Sequence, residues 1–242
     1  METVPPLVSL AAMNQKLLIT IDGPAGSGKT TVSRLLAERL SYTYVDTGAL
    51  YRGIALAVQT AGIYPDDENA LKSLCQSIRL CFIRNEKGLR LLLNSEDISG
   101  RIRTPEISMM ASAVSAKTAV REHLFQVQRD MGAEKGAVFE GRDMGTVVFP
   151  DADLKFFLHA DLKVRAARRY TELRNHADIK AEDVEKDMEK RDHNDSSRKI
   201  APLCPAEDAI CIDTSRLSVS QVVEQMLNHI SGFRKAKSAP GK

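Results

Sequence analysis

Apolar residues fall along this chain in two rhythms. Short aliphatic or β-branched runs at Leu17–Ile21, Tyr42–Val45, Ala137–Phe139, Leu154–Leu158 and Ala209–Ile212 read as buried strands. Between them apolar residues recur every three or four positions. The sets are Val32, Leu35, Leu36 and Leu40; then Leu50, Ile54 and Val58; finally Val219, Val222, Val223, Met226 and Leu227. That spacing places each set on one face of a helix. Strands alternating with amphipathic helices predict an α/β fold, with a parallel sheet covered by helices on both faces.

Two segments break the rhythm. Leu80–Ile83 and Leu89–Leu93 flank Asn85-Glu86-Lys87-Gly88, which predicts a β-hairpin with Gly in its turn. Thr104 then stands where a helix cap would, with Pro105 in the first turn. Residues 62–130 therefore read as an inserted lobe. The stretch Asp161–Lys199 is rich in mixed charge and poor in apolar residues, which predicts a solvent-exposed helical arm. Residues 1–15 and the end of the chain from 234 to 242 read as loose termini.

Composition narrows the function classes. Hydrophobic residues at 43% and charged residues at 27% are globular values. Thirty-four basic residues against thirty-two acidic ones give a net charge of +2, which argues against a nucleic-acid or anionic-membrane binder. Trp is absent and aromatics are 5%, so a stacking platform for single strands is not expected. No apolar run is long enough to span a bilayer, and Leu7–Met13 lacks the basic flank of a signal peptide. The cysteines, Cys75, Cys81, Cys204 and Cys211, form no Cys-x-x-Cys pair and read as free thiols of a reducing cytoplasm.

The strongest local signal is Gly23-Pro24-Ala25-Gly26-Ser27-Gly28-Lys29-Thr30, which fits G-x-x-x-x-G-K-[ST] and lies between a strand and a helix. Glycines let backbone N–H groups turn inward around phosphate oxygens, and the helix N-terminus adds partial positive charge. Lys29 is placed to reach β- and γ-phosphates, and the Thr30 hydroxyl to hold Mg²⁺ directly or through water. With Thr31, these residues form the expected ATP site. The chain has no Asn-Lys-x-Asp guanine motif and no Ser-Gly-Gly-Gln transporter signature, which leaves chiefly small-substrate kinases.

A second strand ends in Asp46-Thr47-Gly48, followed by Tyr51-Arg52, and a third in Glu140-Gly141-Arg142-Asp143. Ligand groups gather at the carboxyl ends of parallel strands, so these residues are expected beside the phosphate loop. The runs Ile19–Pro24, Val45–Arg52, Ile98–Thr104, Gly141–Pro150 and Ala201–Leu203 resemble the bacterial cytidylate kinase family, over about residues 17–232. Gly-Arg-Asp-Met-Gly-Thr-Val-Val-Phe-Pro is specific to that family in a way a phosphate loop is not.

The resemblance implies a P-loop kinase with a five-stranded parallel core, an enlarged monophosphate lobe and a mobile lid. Its implied activity is transfer of the ATP γ-phosphoryl group to CMP or dCMP, with Mg²⁺. On this chain the core maps to 16–61, 131–160 and 200–233, the lobe to 62–130 and the lid to 161–199. Cytosine recognition is implied for Ser112, Arg121, Arg142 and Asp143. The acceptor phosphate and sugar are implied to meet Thr47, Tyr51, Arg52, Arg191, Asp195 and Arg198. Thr47 departs from the Ser common in the family but keeps the hydroxyl.

In the arm, Arg165, Arg168 and Arg169 share one helical face, as do Arg191, Asp195 and Arg198. On the lid reading, Arg168 meets ATP, and Arg191 and Arg198 join Lys29 in catalysis. The chain is then expected to be a cytoplasmic monomer acting on small molecules. Two rivals remain: the same fold acting on another acceptor such as UMP or dTMP, and a nucleotide-binding switch or scaffold.

Overall fold

The computed structural model describes residues 15–85, 88–174 and 179–238. The chain opens with β1 (Leu18–Asp22), α1 (Lys29–Leu40), β2 (Thr43–Asp46) and α2 (Thr47–Thr60). It continues through α3 (Glu68–Ser77), β3 (Leu80–Asn85), β4 (Gly88–Leu93), β5 (Glu96–Asp97), α4 (Pro105–Val114) and α5 (Thr118–Gly132). Then come β6 (Ala137–Glu140), a π-helical turn at Met144–Val148 and β7 (Leu154–His159). The paired helices α6 (Leu162–Leu173) and α7 (Ala181–Ser196), β8 (Ile210–Asp213) and α8 (Val219–Ser238) complete it.

The five runs read as buried strands form one parallel sheet in the order β2-β6-β1-β7-β8. β1 is central, with Ile19 opposite Val138 on one side and Leu154 on the other. Alternation sends its residues to both faces. Ile19 and Ile21 pack with Val32 and Leu36 of α1 and with Val222, Val223 and Met226 of α8. Leu18 packs on the opposite face with Phe139, Met144 and Phe149, the two phenyl rings lying 4.5 Å apart. The strand ends bring Asp22, Asp46 and Glu140 to a single edge of the sheet.

A second core lies outside the sheet. Leu50, Ile54 and Val58 of α2 pack with Leu71, Leu80, Leu91, Ile98, Val114 and Leu124. The helix that begins at the sheet edge thus supplies the centre of the lobe built from residues 62–130. Within that lobe β3, β4 and β5 form an antiparallel sheet with Leu80 opposite Leu93. The hairpin turn at Glu86 and Lys87 falls outside the described residues. Thr104 caps α4 by accepting from Ile107 N at 3.3 Å, with Pro105 in the first turn.

The charged arm folds as α6 and α7, held by the small apolar set Ala166, Val184 and Met188. One expectation needs correcting. α8 runs on to Ser238, well into the stretch from 234 read as loose. Arg234 donates to Tyr42 Oη at 3.0 Å and Lys237 pairs with Asp153 at 3.0 Å, so two tertiary contacts hold that end. Residues 1–14 and 239–242 lie outside the described residues. Among those described, no helix is long and apolar enough to cross a membrane.

Candidate active site

A cleft of about 750 Å³ opens along the edge where the strands end. Its described lining carries eight arginines and one lysine against five carboxylates. Such an excess of like charge in one concavity is costly unless an anion shares it.

The phosphate loop forms one wall. Gly23 adopts φ +144°, and a Cβ there would lie 2.0 Å from Leu158 O, so only glycine lets the chain leave β1 against β7. Gly28 stands before α1 at φ +86° and brings no side-chain cap, which leaves the first N–H groups of the helix open to the cleft. Lys29 is 4% exposed, its Nζ donating to Pro24 O at 2.6 Å and lying 3.4 Å from Ser27 Oγ. Burial first, then the positive charges of Arg142 and Arg191, hold its ammonium well below the usual lysine range. An incoming polyphosphate would relieve that strain on the charge. Ala25, Gly26, Ser27, Thr30 and Thr31 line the cleft with it. Gly23 and Pro24, also expected among the nucleotide contacts, are not part of that lining.

Thr30 Oγ1 donates to Glu140 Oε1 at 2.8 Å, and Tyr44 Oη donates to Glu140 Oε2 at 2.6 Å. Burial and the Glu140 charge push the Tyr44 phenol up, so it remains a donor. Arg168 of α6 donates to Thr214 O at 2.7 Å and reaches Gly26 O at 3.4 Å, which places it over the loop. The arginine trio of α6 is divided. Arg165 is buried, bonded to Ala160 O at 2.8 Å and Ala25 O at 3.2 Å and paired with Asp192 of α7, while Arg169 faces the cleft.

The facing wall carries the residues expected on the acceptor side. Thr47 is buried, and its hydroxyl is spent on Glu140 O at 2.6 Å. Asp46 caps α2 through Ala49 N at 3.0 Å and pairs with Arg52 at 2.8 Å; Arg103 reaches the same carboxylate at 3.6 Å. Asp195 joins α7 to the loop after β6, accepting from Arg142 Nε at 3.1 Å and Arg198 Nη2 at 2.7 Å. Arg198 also reaches Ser115 Oγ at 3.3 Å. Burial, then Arg142, lowers the Arg191 guanidinium to about 10.

Asp143 and Arg121 form a buried ion pair, and Arg121 donates further to Ser115 O at 3.1 Å. Burial pushes the Asp143 carboxyl up, opposed by Arg121 and Arg198. Tyr51 lies beside them, with the Arg121 guanidinium 5.9 Å from its ring centre. Burial, then the Asp143 charge, pushes its phenol up to about 12. Ser112 of α4 is half-buried on the same wall.

The structure thus gathers Thr47, Tyr51, Arg52, Ser112, Arg121, Arg142, Asp143, Arg191, Asp195 and Arg198 around one cavity with the phosphate loop. Asp46 stands beside the phosphate loop as expected from its strand end, whereas sequence reading missed Arg103, Ser115, Thr214 and the partnership of Glu140 with Thr30. Only Glu140 carried a usable signal, a carboxylate at a strand end beside the loop. Among the described residues no group of three His, Cys, Asp or Glu side chains could hold a metal ion. Thr30 and Glu140 offer hard oxygens that suit a cation held mostly by phosphates and water.

The sequence model of the cytidylate kinase family matches residues 19–232. The cytidylate kinase of Syntrophotalea carbinolica is 48% identical over 220 residues, covering 90% of this chain and 94% of its own. That of Geobacter sulfurreducens is 45% identical, covering 89% and 93%; that of Ligilactobacillus salivarius is 43% identical, covering 90% and 98%. Among solved structures, an uncharacterized protein from Eubacterium ventriosum aligns over 89% of this chain and 99% of its own, with TM-score 0.50 and 12% identity. That last likeness speaks to the fold alone. The match over nearly the whole described chain, with Gly141, Arg142 and Asp143 of the Gly-Arg-Asp-Met-Gly run lining the cleft, means that this chain belongs to the cytidylate kinase family.

Proposed function

We infer that this chain transfers the γ-phosphoryl group of ATP to CMP or dCMP, giving CDP or dCDP and ADP. One observation carries the reading: a single cleft joins an open phosphate loop to a buried Asp143–Arg121 pair across a field of arginines. The acceptor phosphate is already an anion at neutral pH, so no general base is needed. The task is to bring two polyanions together and spread their charge through a loose transition state. A cleft lined by arginines, with no described histidine in its wall, suits that task.

On this reading the loop N–H groups and Lys29 hold the ATP phosphates, and Arg168 closes over them. Arg52, Arg142, Arg191 and Arg198 meet the acceptor phosphate and the transferring group. Residues 62–130 act as the CMP lobe and 161–199 as the lid, on a core of 16–61, 131–160 and 200–233. Lid closure excludes water that would otherwise hydrolyse ATP. When bound with ATP, Mg²⁺ would supply charge neutralisation to the phosphates. Thr30 and Glu140 are the residues that would hold it, directly or through water. The near-neutral charge supports small molecules rather than nucleic acid as substrates, and the four free thiols suit a reducing cytoplasm.

Base choice follows from donor and acceptor logic. A carboxylate accepts and a guanidinium donates. Asp143 facing the cytosine N4 amine, with Arg121 or Arg142 and Ser112 donating to N3 and O2, matches cytosine and opposes uracil. Sites built this way reject the wrong analogue by roughly 10⁴ in kcat/KM. The test is an ADP-release assay with ATP, Mg²⁺ and a panel of CMP, dCMP, UMP and dTMP. CMP and dCMP should accelerate ADP release strongly; a rate indifferent to CMP would overturn the reading. In the same assay Asp143→Asn should narrow the CMP-to-UMP ratio, and an unchanged ratio removes Asp143 from base reading.

A further inference from the structure

Asp22 is a buried carboxylate that phosphoryl transfer, as described, does not use. It ends β1, immediately before the phosphate loop, and is 4% exposed. Its two oxygens accept from two successive backbone donors, Met144 N at 3.0 Å and Gly145 N at 2.7 Å. Those N–H groups open the π-helical turn that follows Asp143. An aspartate in the position of Asp143 ordinarily turns its own carboxylate onto the donors that follow it. Here it makes no such cap, and its carboxylate is directed to Arg121 instead.

We propose that Asp22 is a positioning residue for acceptor recognition: it caps the turn in place of Asp143 and so leaves the Asp143 carboxylate free to face the base. This rests on the assignment of Asp143 to base reading. The charges that act on Asp22 are Lys29 from the phosphate loop and Asp143 itself, and it forms no ion pair among the described residues. A buried carboxylate with no contact ion pair is a poor choice for stability alone. What its ionised form provides, and a neutral side chain does not, is two acceptor oxygens for two parallel donors. The same contact ties the base-reading turn to the strand that carries the phosphate loop.

Asp22→Asn offers one acceptor and turns its amide donor toward a backbone donor. The Asp143 carboxylate is then drawn back onto its own turn. The experiment is a double-mutant cycle: CMP affinity by calorimetry, and kcat/KM for CMP and UMP, in wild type, Asp22→Asn, Asp143→Asn and the double variant. Asp22→Asn alone should weaken CMP binding by about tenfold or more, the scale of a charge-assisted hydrogen bond. It should also lower the CMP-to-UMP ratio. In the Asp143→Asn background the same change should cost less than about twofold, because the two residues act through one contact. A changed ratio in Asp143→Asn, combined with equal Asp22→Asn factors in both backgrounds, overturns the role of Asp22 and leaves base reading standing. An unchanged ratio in Asp143→Asn alone removes base reading and this inference with it. If Asp22→Asn does not fold, the same cycle with Asp22→Ser decides.

Discussion

Replacing Lys29 with Met separates a charge that serves the reaction from one that serves the fold. In the free protein the ammonium is buried, disfavoured by burial and by Arg142 and Arg191, and bonded to Pro24 O at 2.6 Å. Because its pKa is lowered on folding, its charge costs stability at neutral pH, and Met removes that cost. Against this, Pro24 O loses its charged donor and keeps only Ser27 Oγ at 3.0 Å, a cost of about 1 kcal/mol. The two effects oppose, so net stability should stay within about 1 kcal/mol of wild type. For a chain of this size that is a Tm change of about 2–4 °C. Activity should behave differently. Losing a preorganised positive charge at the transferring phosphate costs on the order of 10³ in kcat. ATP should also stabilise the wild type by about 2.7 kcal/mol at one hundred times Kd, a shift the variant largely loses. Thermal melts with and without ATP, beside steady-state rates, read all three quantities. Turnover near wild type, or a Tm that collapses with activity, would refute the reasoning.

Arg198→Ala removes one of the two guanidinium partners of Asp195 and the contact with Ser115. It should lower kcat by more than it raises the CMP KM, and a rise in KM with kcat held would make Arg198 a binding residue only. Glu140→Gln keeps the size of the side chain but removes the charge beside Thr30. It should raise the Mg²⁺ concentration for half-maximal rate by about tenfold, and an unchanged Mg²⁺ curve would exclude Glu140 from that site. The Asp22 carboxyl is pushed up to about 7, first by burial and then by Asp143. Its folded pKa lies above the unfolded value of 3.8, so its contribution to stability is full below about pH 4 and is lost as pH rises through 7. Asp22→Asn should flatten that limb of a Tm-against-pH profile, and an unaltered slope would contradict the shift.

What the sequence made legible was local. The strand runs, the phosphate loop and the hairpin each announce themselves within a few residues. Arg191, Asp195 and Arg198 could be grouped because helical spacing puts them on one face. Contacts between distant segments were not legible. Asp22 and Gly145 are neighbours only because β1 lies beside β6, and nothing near Asp22 in sequence states that. Arg165 has the same spacing signal as Arg168, yet packing against Ala25 and Asp192 takes it out of the cleft. The Thr47 hydroxyl is held by Glu140 O, a partner 93 residues away that no local pattern marks. The Arg103 contact with Asp46 joins the lobe to the sheet edge and has no sequence signature.

The sharing of α2 between two regions has an evolutionary consequence. Its first residues complete the sheet edge, while Leu50, Ile54 and Val58 are the floor on which the lobe is built. The lobe is therefore not a detachable module. A descendant that shortened the segment after residue 61 would bare three large aliphatic side chains on a helix it could not discard, because Thr47 and Arg52 ride on the same helix. Size reduction in this lineage must then proceed by resurfacing α2 and trimming the lobe together, a coupled path that makes intermediate lengths prone to aggregate.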